Sequence, residues 1–276
     1  MSRWIQEMTW PDIAEHLERG RGDTVLVPVG ATEQHGPHCP MGTDAAEAVA
    51  TAEGVAERTD ALIAPPLWFG WSPHHLAFPG TISLSADTLT RAAEDVCHSL
   101  IHHGFKHLVI LNGHRVANLA PLEIAMVRVR NTTGAAVALV DLALVAGKEI
   151  RAVCESPPGG IGHACESETS FMLYKYPGLV KMDEAVDRIP EMGEFEHRFV
   201  SVDHAVNRIE NVKLSFPPTI EEYGGDGKVS GVGGAPTLAT AEKGEKIYDA
   251  IVANTVRFVE SFKEVPVTIK GTFPPL

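Results

Sequence analysis

Apolar positions along this chain follow two habits. Short β-branched runs without a polar break read as strands buried on both faces. Longer stretches with an apolar residue every three or four positions read as helices. Thr24 to Gly30 (TVLVPVG) is the first run of the strand kind. Ala61 to Leu67 (ALIAPPL) is a second, weakened by two prolines that cannot donate to a ladder. Lys106 to Leu111 (KHLVIL) and Ala135 to Asp141 (AAVALVD) complete a set of four. Helices are predicted over Pro11 to Arg19, along the run opened by Asp44, from a cap at Ser85 or Asp87 to His103, and over Leu119 to Arg130. Strand and helix thus alternate four times by about residue 150, the signature of an α/β fold with a parallel sheet covered by helices.

The second half is less regular. Trp68 to Leu84 is an aromatic stretch punctuated by Gly and Pro and reads as a loop. Pro157 to Gly162 (PPGGIG) is a turn leading to His163, and Glu166 to Tyr174 has helical character. Lys181 to Lys228 is polar and weakly periodic, with a possible strand at Asn211 to Phe216. Gly224 to Pro236 is a Gly-rich loop. A strong amphipathic helix spans Thr240 to Phe262. With no internal repeat and no dividing linker, residues 1–276 are expected to form a single domain.

Composition narrows the function more than the fold. The chain has 276 residues, 44% hydrophobic and 21% charged, with a net charge of −13. No cluster of Lys and Arg interrupts that acidity, so nucleic acid and anionic membrane surfaces are excluded as partners. No run approaches about 18 apolar residues, so no transmembrane helix is expected. The start, MSRWIQEMTWPDI, lacks a basic-then-apolar signal, and the four cysteines are scattered without a C-x-x-C pair. Both point to reduced thiols in a cytoplasmic protein.

Candidate chemistry concentrates after the first strand, in VLVPVGATEQHGPHCPMGTD (Val25 to Asp44). Glu33 and His35 are two apart, and in extended backbone such residues share a side. Both follow the carboxyl end of a strand, where open parallel sheets place their ligands. Asp44, at a helix start, can return toward the same crevice. Carboxylates mixed with imidazole suit Zn²⁺, Mn²⁺ or Fe²⁺. His114 lies just past the third strand and can reach the same edge. His163, delivered by the Gly-rich turn, is a candidate general acid or base. Glu168 can ligate a metal or accept a proton. His38 is a weaker ligand candidate, and His74 and His75 line a pocket without an assigned reaction. A G-x-S-x-G elbow, a G-x-G-x-x-G fingerprint and a P-loop are all absent, and Cys39 and Cys165 read as buried thiols.

Five segments in order resemble the creatininase (creatinine amidohydrolase-like) family. They are Pro28-Val-Gly-Ala-Thr-Glu-Gln-His-Gly-Pro-His38 with Thr43-Asp44, Phe78-Pro-Gly-Thr81, Asn112-Gly-His114, His163 through Glu168-Thr-Ser170, and Gly231 to Thr237 followed by Ala241-Glu-Lys-Gly244. The resemblance implies a three-layer α/β/α sandwich with a mostly parallel sheet, assembled as a homohexamer. It implies a divalent metal cofactor, Zn²⁺ and/or Mn²⁺ or Fe²⁺, one or two ions per chain. Glu33, His35, Asp44 and His114 would be ligands, with Asp44 bridging. His163 would be the proton shuttle while a metal-bound hydroxide opens a small cyclic substrate, most simply at an amide C–N bond. Two positions depart from creatininase proper. Val116 stands where an acidic ligand is expected, which makes Glu168 the candidate for a second ion, as ligand or catalytic group. Gly159 replaces a gating Trp, so creatinine itself is not carried over as the substrate. Arg115, beside His114, suggests a substrate with an anionic or hydrogen-bonding group. The alternative reaction is C–C hydrolysis of a cyclic keto-polyol, such as an inositol-derived ketone of the 3-dehydro-inosose type.

Overall fold

The four apolar runs become strands β1 (Thr24–Val29), β2 (Leu62–Ile63), β3 (His107–Asn112) and β4 (Ala136–Asp141). They form one all-parallel sheet in the order β2-β1-β3-β4. A computed structural model describes residues 2–18, 22–157, 160–189, 208–209, 212–213 and 230–270. Among the described residues the helices are α1 (Trp10–Glu18), α2 (Thr43–Ala56), α3 (Ala86–His102), α4 (Arg115–Thr133), α5 (Leu142–Val145), α6 (Gly147–Val153), α7 (Glu166–Lys175) and α8 (Ala241–Phe262). No helix among the described residues is long and apolar enough to cross a membrane.

Strand alternation sorts the core into two halves. On one face, Leu26, Val109, Leu111 and Val140 pack with residues of α2, α6, α7 and α8, among them Ala52, Ile150, Phe171 and Ile251. On the other, Val25, Val27, Leu108, Ile110 and Val137 meet Leu89 and Ala93 of α3 and Leu122, Ala125 and Val129 of α4. The molecule is therefore an α/β/α sandwich, as the resemblance implies.

Three elements differ from their sequence reading. The second strand is two residues long, because Pro65 and Pro66 interrupt the ladder. Pairing resumes beyond them, where the Leu67 amide donates to the Pro28 carbonyl. Helix α4 starts at Arg115, not Leu119. Pro121, which looks like a first-turn residue, lies inside the helix. Of the possible strand at Asn211 to Phe216, Val212–Lys213 pairs antiparallel with Arg208–Ile209, and the rest lies outside the described residues.

The topology creates the crevice. The chain leaves β1 into α2 on one face and leaves β3 into α4 on the opposite face. Strands β1 and β3 are neighbours and end in register, Val29 opposite Asn112. Their carboxyl ends are thus a topological switch point, where open α/β sheets bind ligands. Two glycines let the first turn of α2 sink into it. A Cβ at Gly30 would overlap the Ala45 amide nitrogen, and one at Gly113 would overlap the Asp44 carbonyl oxygen. The Asp44 backbone is thereby held against both strand ends. A Gly113→Ala change forces that contact apart and should lower unfolding free energy by about 1–3 kcal/mol, as overpacking does. Chemical denaturation of the variant checks this, and a loss below about 0.5 kcal/mol, the range of neutral surface changes, would contradict it.

Candidate metal centre

Four residues named from sequence meet above the switch point. Glu33 and His35 come from the loop after β1, Asp44 from the first turn of α2, and His114 from the end of β3. All four are buried. Asp44 lies between the two histidines: His35 Nε2 is 3.0 Å from its Oδ1, and His114 Nδ1 is 3.2 Å from its Oδ2. The other nitrogen of His114 is 3.4 Å from Glu33 Oε2. Neither Glu33 carboxylate oxygen accepts a hydrogen bond of normal geometry, and neither does Asp44 Oδ2. Buried carboxylates left in this way need a cation.

His35 carries the same message. Its Nδ1 is 3.1 Å from the Glu33 carbonyl oxygen, which can only accept. In the neutral ring the proton is therefore on Nδ1, and the Nε2 lone pair faces the Asp44 carboxylate. Two electron-rich atoms at 3.0 Å repel unless a proton or a metal ion lies there. A backbone carbonyl that fixes the tautomer from behind is the usual support of a metal-binding histidine.

The remaining candidates complete two donor sets. Ligand atoms of Glu33, Asp44 and His114 lie within 4.8 Å of one another, as do those of His35, Asp44 and Glu168. Asp44 belongs to both. Glu168 comes from the third position of α7, where its carboxylate also accepts from the Cys165 amide at 3.4 Å. His163 enters from the turn before α7, where Ala164 takes a left-handed φ of 50°. Its Nδ1 is 3.6 Å from Glu33 Oε1, and its side chain keeps 17% exposure, more than any of the other groups at Glu33. His163 also forms a third donor set with Glu33 and His35. Arg115, the first residue of α4, lies with Nε 3.8 Å from Asp141 Oδ1, across the ends of β3 and β4.

Titration follows the geometry. Burial pushes Glu33 up to about 7. Burial alone would depress His35, but Asp44, helped by Glu168 and Glu33, lifts it to about 10. His114 likewise overcomes burial through Glu33 and Asp44 and rises to about 9. Burial opposes the Asp44 charge, yet His35 and His114 hold its carboxyl below the usual range. Burial and the neighbouring His35 keep His163 neutral. Protons on His35 and His114 thus stand in for cationic charge in the metal-free protein.

Several residues lie where sequence reading did not put them. His38 is turned away from the cluster, with Nε2 2.9 Å from Thr169 Oγ1. His75 is drawn in, with Nε2 3.3 Å from Glu33 Oε1. Gln34 holds His75 from behind at 2.8 Å, and Ser72 Oγ lies 3.4 Å from His114 Nε2. Glu47, one turn along α2 from Asp44, is a further buried carboxylate, raised by burial and by Glu168 and Asp44. The sequence places His75 on a pocket wall without an assigned reaction, and its position three residues before the Phe78-Pro-Gly-Thr segment is a further signal for it. All four cysteines are free. Burial pushes Cys39 and Cys165 up to about 12, so both are thiols with no nucleophilic role near neutral pH.

These protonation states set a sign. His35, His114 and Glu33 hold protons in the folded protein at pH values where the unfolded chain has lost them. Their contribution to stability is therefore lost as pH rises through about 7, 9 and 10 in turn. A divalent ion must displace the same protons, so Mn²⁺ affinity should rise over that range with proton release. Calorimetry in buffers of different ionisation enthalpy checks this. Affinity independent of pH, with no protons released, would contradict it.

Comparison with known proteins gives this site a context. The creatininase family profile, described as creatinine amidohydrolase, matches residues 6–259. A creatinine amidohydrolase of Pseudomonas putida is 33% identical over 68% of this chain and 78% of its own. A 3-dehydro-scyllo-inosose hydrolase of Thermotoga maritima is 28% identical over 95% of this chain and 84% of its own. A mycofactocin precursor peptide peptidase of Mycolicibacterium smegmatis is 34% identical over 83% and 81%. Among solved structures, a manganese creatininase superposes with a TM-score of 0.77 at 27% identity, covering 95% of this chain and 99% of that one. A zinc–zinc creatininase variant matches with the same score, identity and coverage.

Proposed function

The chain belongs to the creatininase family of hydrolases, and from that premise we propose that it is a divalent-metal hydrolase opening a small cyclic substrate at an amide C–N bond. The observation that carries this reading is the shared Asp44. One carboxylate belongs to two donor sets, Glu33–Asp44–His114 and His35–Asp44–Glu168. That is the arrangement for two neighbouring ions, with Glu168 taking the place that Val116 leaves without a carboxylate. Zn²⁺ or Mn²⁺ suits such imidazole and carboxylate donors, and manganese and zinc–zinc are the forms named for the structural relatives. Bound there, divalent ions would acidify water and polarise a carbonyl oxygen.

The chain's own groups would do the rest. His163 is neutral and carries its Nε2 proton against the Gln34 carbonyl oxygen at 2.6 Å. Its Nδ1 is therefore the basic atom, and it faces Glu33. There it would take the proton lost by the attacking water and return it to the leaving nitrogen as the C–N bond breaks. Glu168 serves this reading as a ligand, and Arg115, held beside Asp141 next to His114, as a substrate anchor. The amide reading agrees with the names of the creatinine amidohydrolase and the peptide peptidase among the relatives. Arg115 favours a second reading, C–C hydrolysis in a cyclic keto-polyol, since a guanidinium suits hydroxyl and keto oxygens. The inosose hydrolase supports it through its match over 95% of the chain. The reading also carries a single hydrolase domain assembled as a homohexamer. Sedimentation at the mass of six chains supports that assembly, and a monomer contradicts it.

Assays of the Mn²⁺- and Zn²⁺-loaded protein on cyclic amides and on inosose-type ketones separate the two reactions. Turnover of a cyclic amide is expected. Inertness toward every amide, with the ions bound, would overturn the C–N assignment. With the substrate found, His163→Asn should lower kcat by about 10²- to 10⁴-fold while metal content stays unchanged. Loss of metal instead would make His163 a ligand.

A further inference from the structure

Gln34 lies between the two residues most firmly placed at the site, and its side chain is buried. Its orientation is set by backbone groups on both sides. Oε1 accepts from the Gly36 amide at 2.8 Å, and Nε2 donates to the Gly231 carbonyl oxygen at 2.9 Å. Turning the amide over would set donor against donor and acceptor against acceptor. Gly231 is required for this approach, because a Cβ there would overlap Gln34 Oε1.

Nε2 is therefore the atom 2.8 Å from His75 Nδ1, and it is a donor. His75 Nδ1 must accept. A neutral imidazole carries one proton, so that proton is on Nε2, 3.3 Å from Glu33 Oε1. The backbone of Gln34 acts the same way on a second ring. Its carbonyl oxygen is 2.6 Å from His163 Nε2 and can only accept, so in the neutral ring His163 also carries its one proton on Nε2. The other nitrogen of that ring, Nδ1, is 3.6 Å from Glu33 Oε1. The two imidazoles, 4.3 Å apart between ring centroids, thus present opposite ends to one carboxylate.

We propose that Gln34 is a positioning residue that fixes both tautomers, so that His75 turns an N–H and His163 a lone pair toward Glu33. The consequence is a division of labour on that carboxylate. The His75 N–H lies on the Oε1 side, at 3.3 Å, and leaves Oε2, the oxygen on the His114 side, for a cation. His163 keeps a basic nitrogen beside it. Asn at position 34 is one methylene too short to reach both partners. Glu offers only acceptors and would draw the His75 proton to Nδ1. That consequence rests on the reading of Glu33 as a ligand and His163 as the proton carrier, whereas the tautomers themselves do not.

The test is ¹⁵N magic-angle-spinning NMR of the metal-free, histidine-labelled protein at neutral pH, with His75→Asn and His163→Asn difference spectra for assignment. Both rings should appear as the neutral Nε2–H form. In Gln34→Glu, His75 should shift to a protonated Nδ1 while His163 stays as it was, because its backbone partner is unchanged. In Gln34→Leu, His75 should lose its single tautomer, again without His163 following. A wild-type His75 protonated at Nδ1 would overturn the proposal, and this result needs no variant to fold. So would a His75 unmoved by both substitutions, or the two rings shifting together, as general loosening would produce. Mn²⁺ affinity should fall about 10- to 100-fold in Gln34→Glu, the usual effect of disturbing a ligand's supporting shell. If the wild-type protein takes up no Mn²⁺ while the tautomers are as described, the metal reading fails and the role of Gln34 in setting them stands.

Discussion

The structure turns on two carboxylates, Glu33 and Asp44, taken out of water at the crossing of β1 and β3. Removing an ionised carboxylate from solvent costs several kcal/mol. One unit of opposite charge at about 4 Å returns about 4 kcal/mol at the effective dielectric of a protein, so a single imidazolium roughly breaks even. A dication returns about twice as much. The surroundings are built accordingly. Imidazole nitrogens approach the pair from several sides, and three of the four carboxylate oxygens accept no good hydrogen bond. The group that makes sense of this balance is a divalent cation, and the raised His35 and His114 show what substitutes for it.

The fold supplies this arrangement through three unrelated segments. The switch in strand order opens a crevice, and Gly30 and Gly113 let α2 descend into it with Asp44 at its first turn. The turn before α7 then brings His163 and Glu168 over the top. That turn is itself stitched to the Gly-rich loop, since His163 and Gly233 exchange backbone hydrogen bonds at 3.2 and 2.7 Å. The late loop therefore shapes the site through the backbone of Gly231 and Gly233. Gly231 lets it touch Gln34, and Gln34 ties it to both His75 and His163.

Much of this was legible in the chain. Unbroken apolar runs mark β1, β3 and β4 because such strands are buried on both faces. Glu33, His35, Asp44 and His114 could be singled out because each follows a strand that ends at one edge. His163 and Glu168 were legible through their motif, and the structure brings them to the same place. What could not be read is carried by irregular backbone. His75 reaches Glu33 from the loop between β2 and α3, which has no period to betray which side chains face inward. Gln34 looks like a spacer between two ligand candidates, yet its amide spans to His75 and to Gly231, 41 and 197 residues away. Arg115 reads from the sequence as a substrate contact beside His114. Its approach to Asp141 depends on β4 lying beside β3, which local pattern does not encode. Inside α4, Pro121 shows the converse, a local rule overruled where Leu122, Ala125 and Val129 of the same helix pack into the core.

The proposed metal centre requires Asp44 to serve two ions at once. Metal content of the purified protein, measured by mass spectrometry after equilibration with Mn²⁺ or Zn²⁺, tests that most directly. About two ions per chain are expected, the count that two donor sets sharing one carboxylate provide. Asp44→Asn should lose both, whereas Glu168→Gln should lose one. A wild-type protein that binds no ion, or an Asp44→Asn variant that keeps its full complement, would contradict the account.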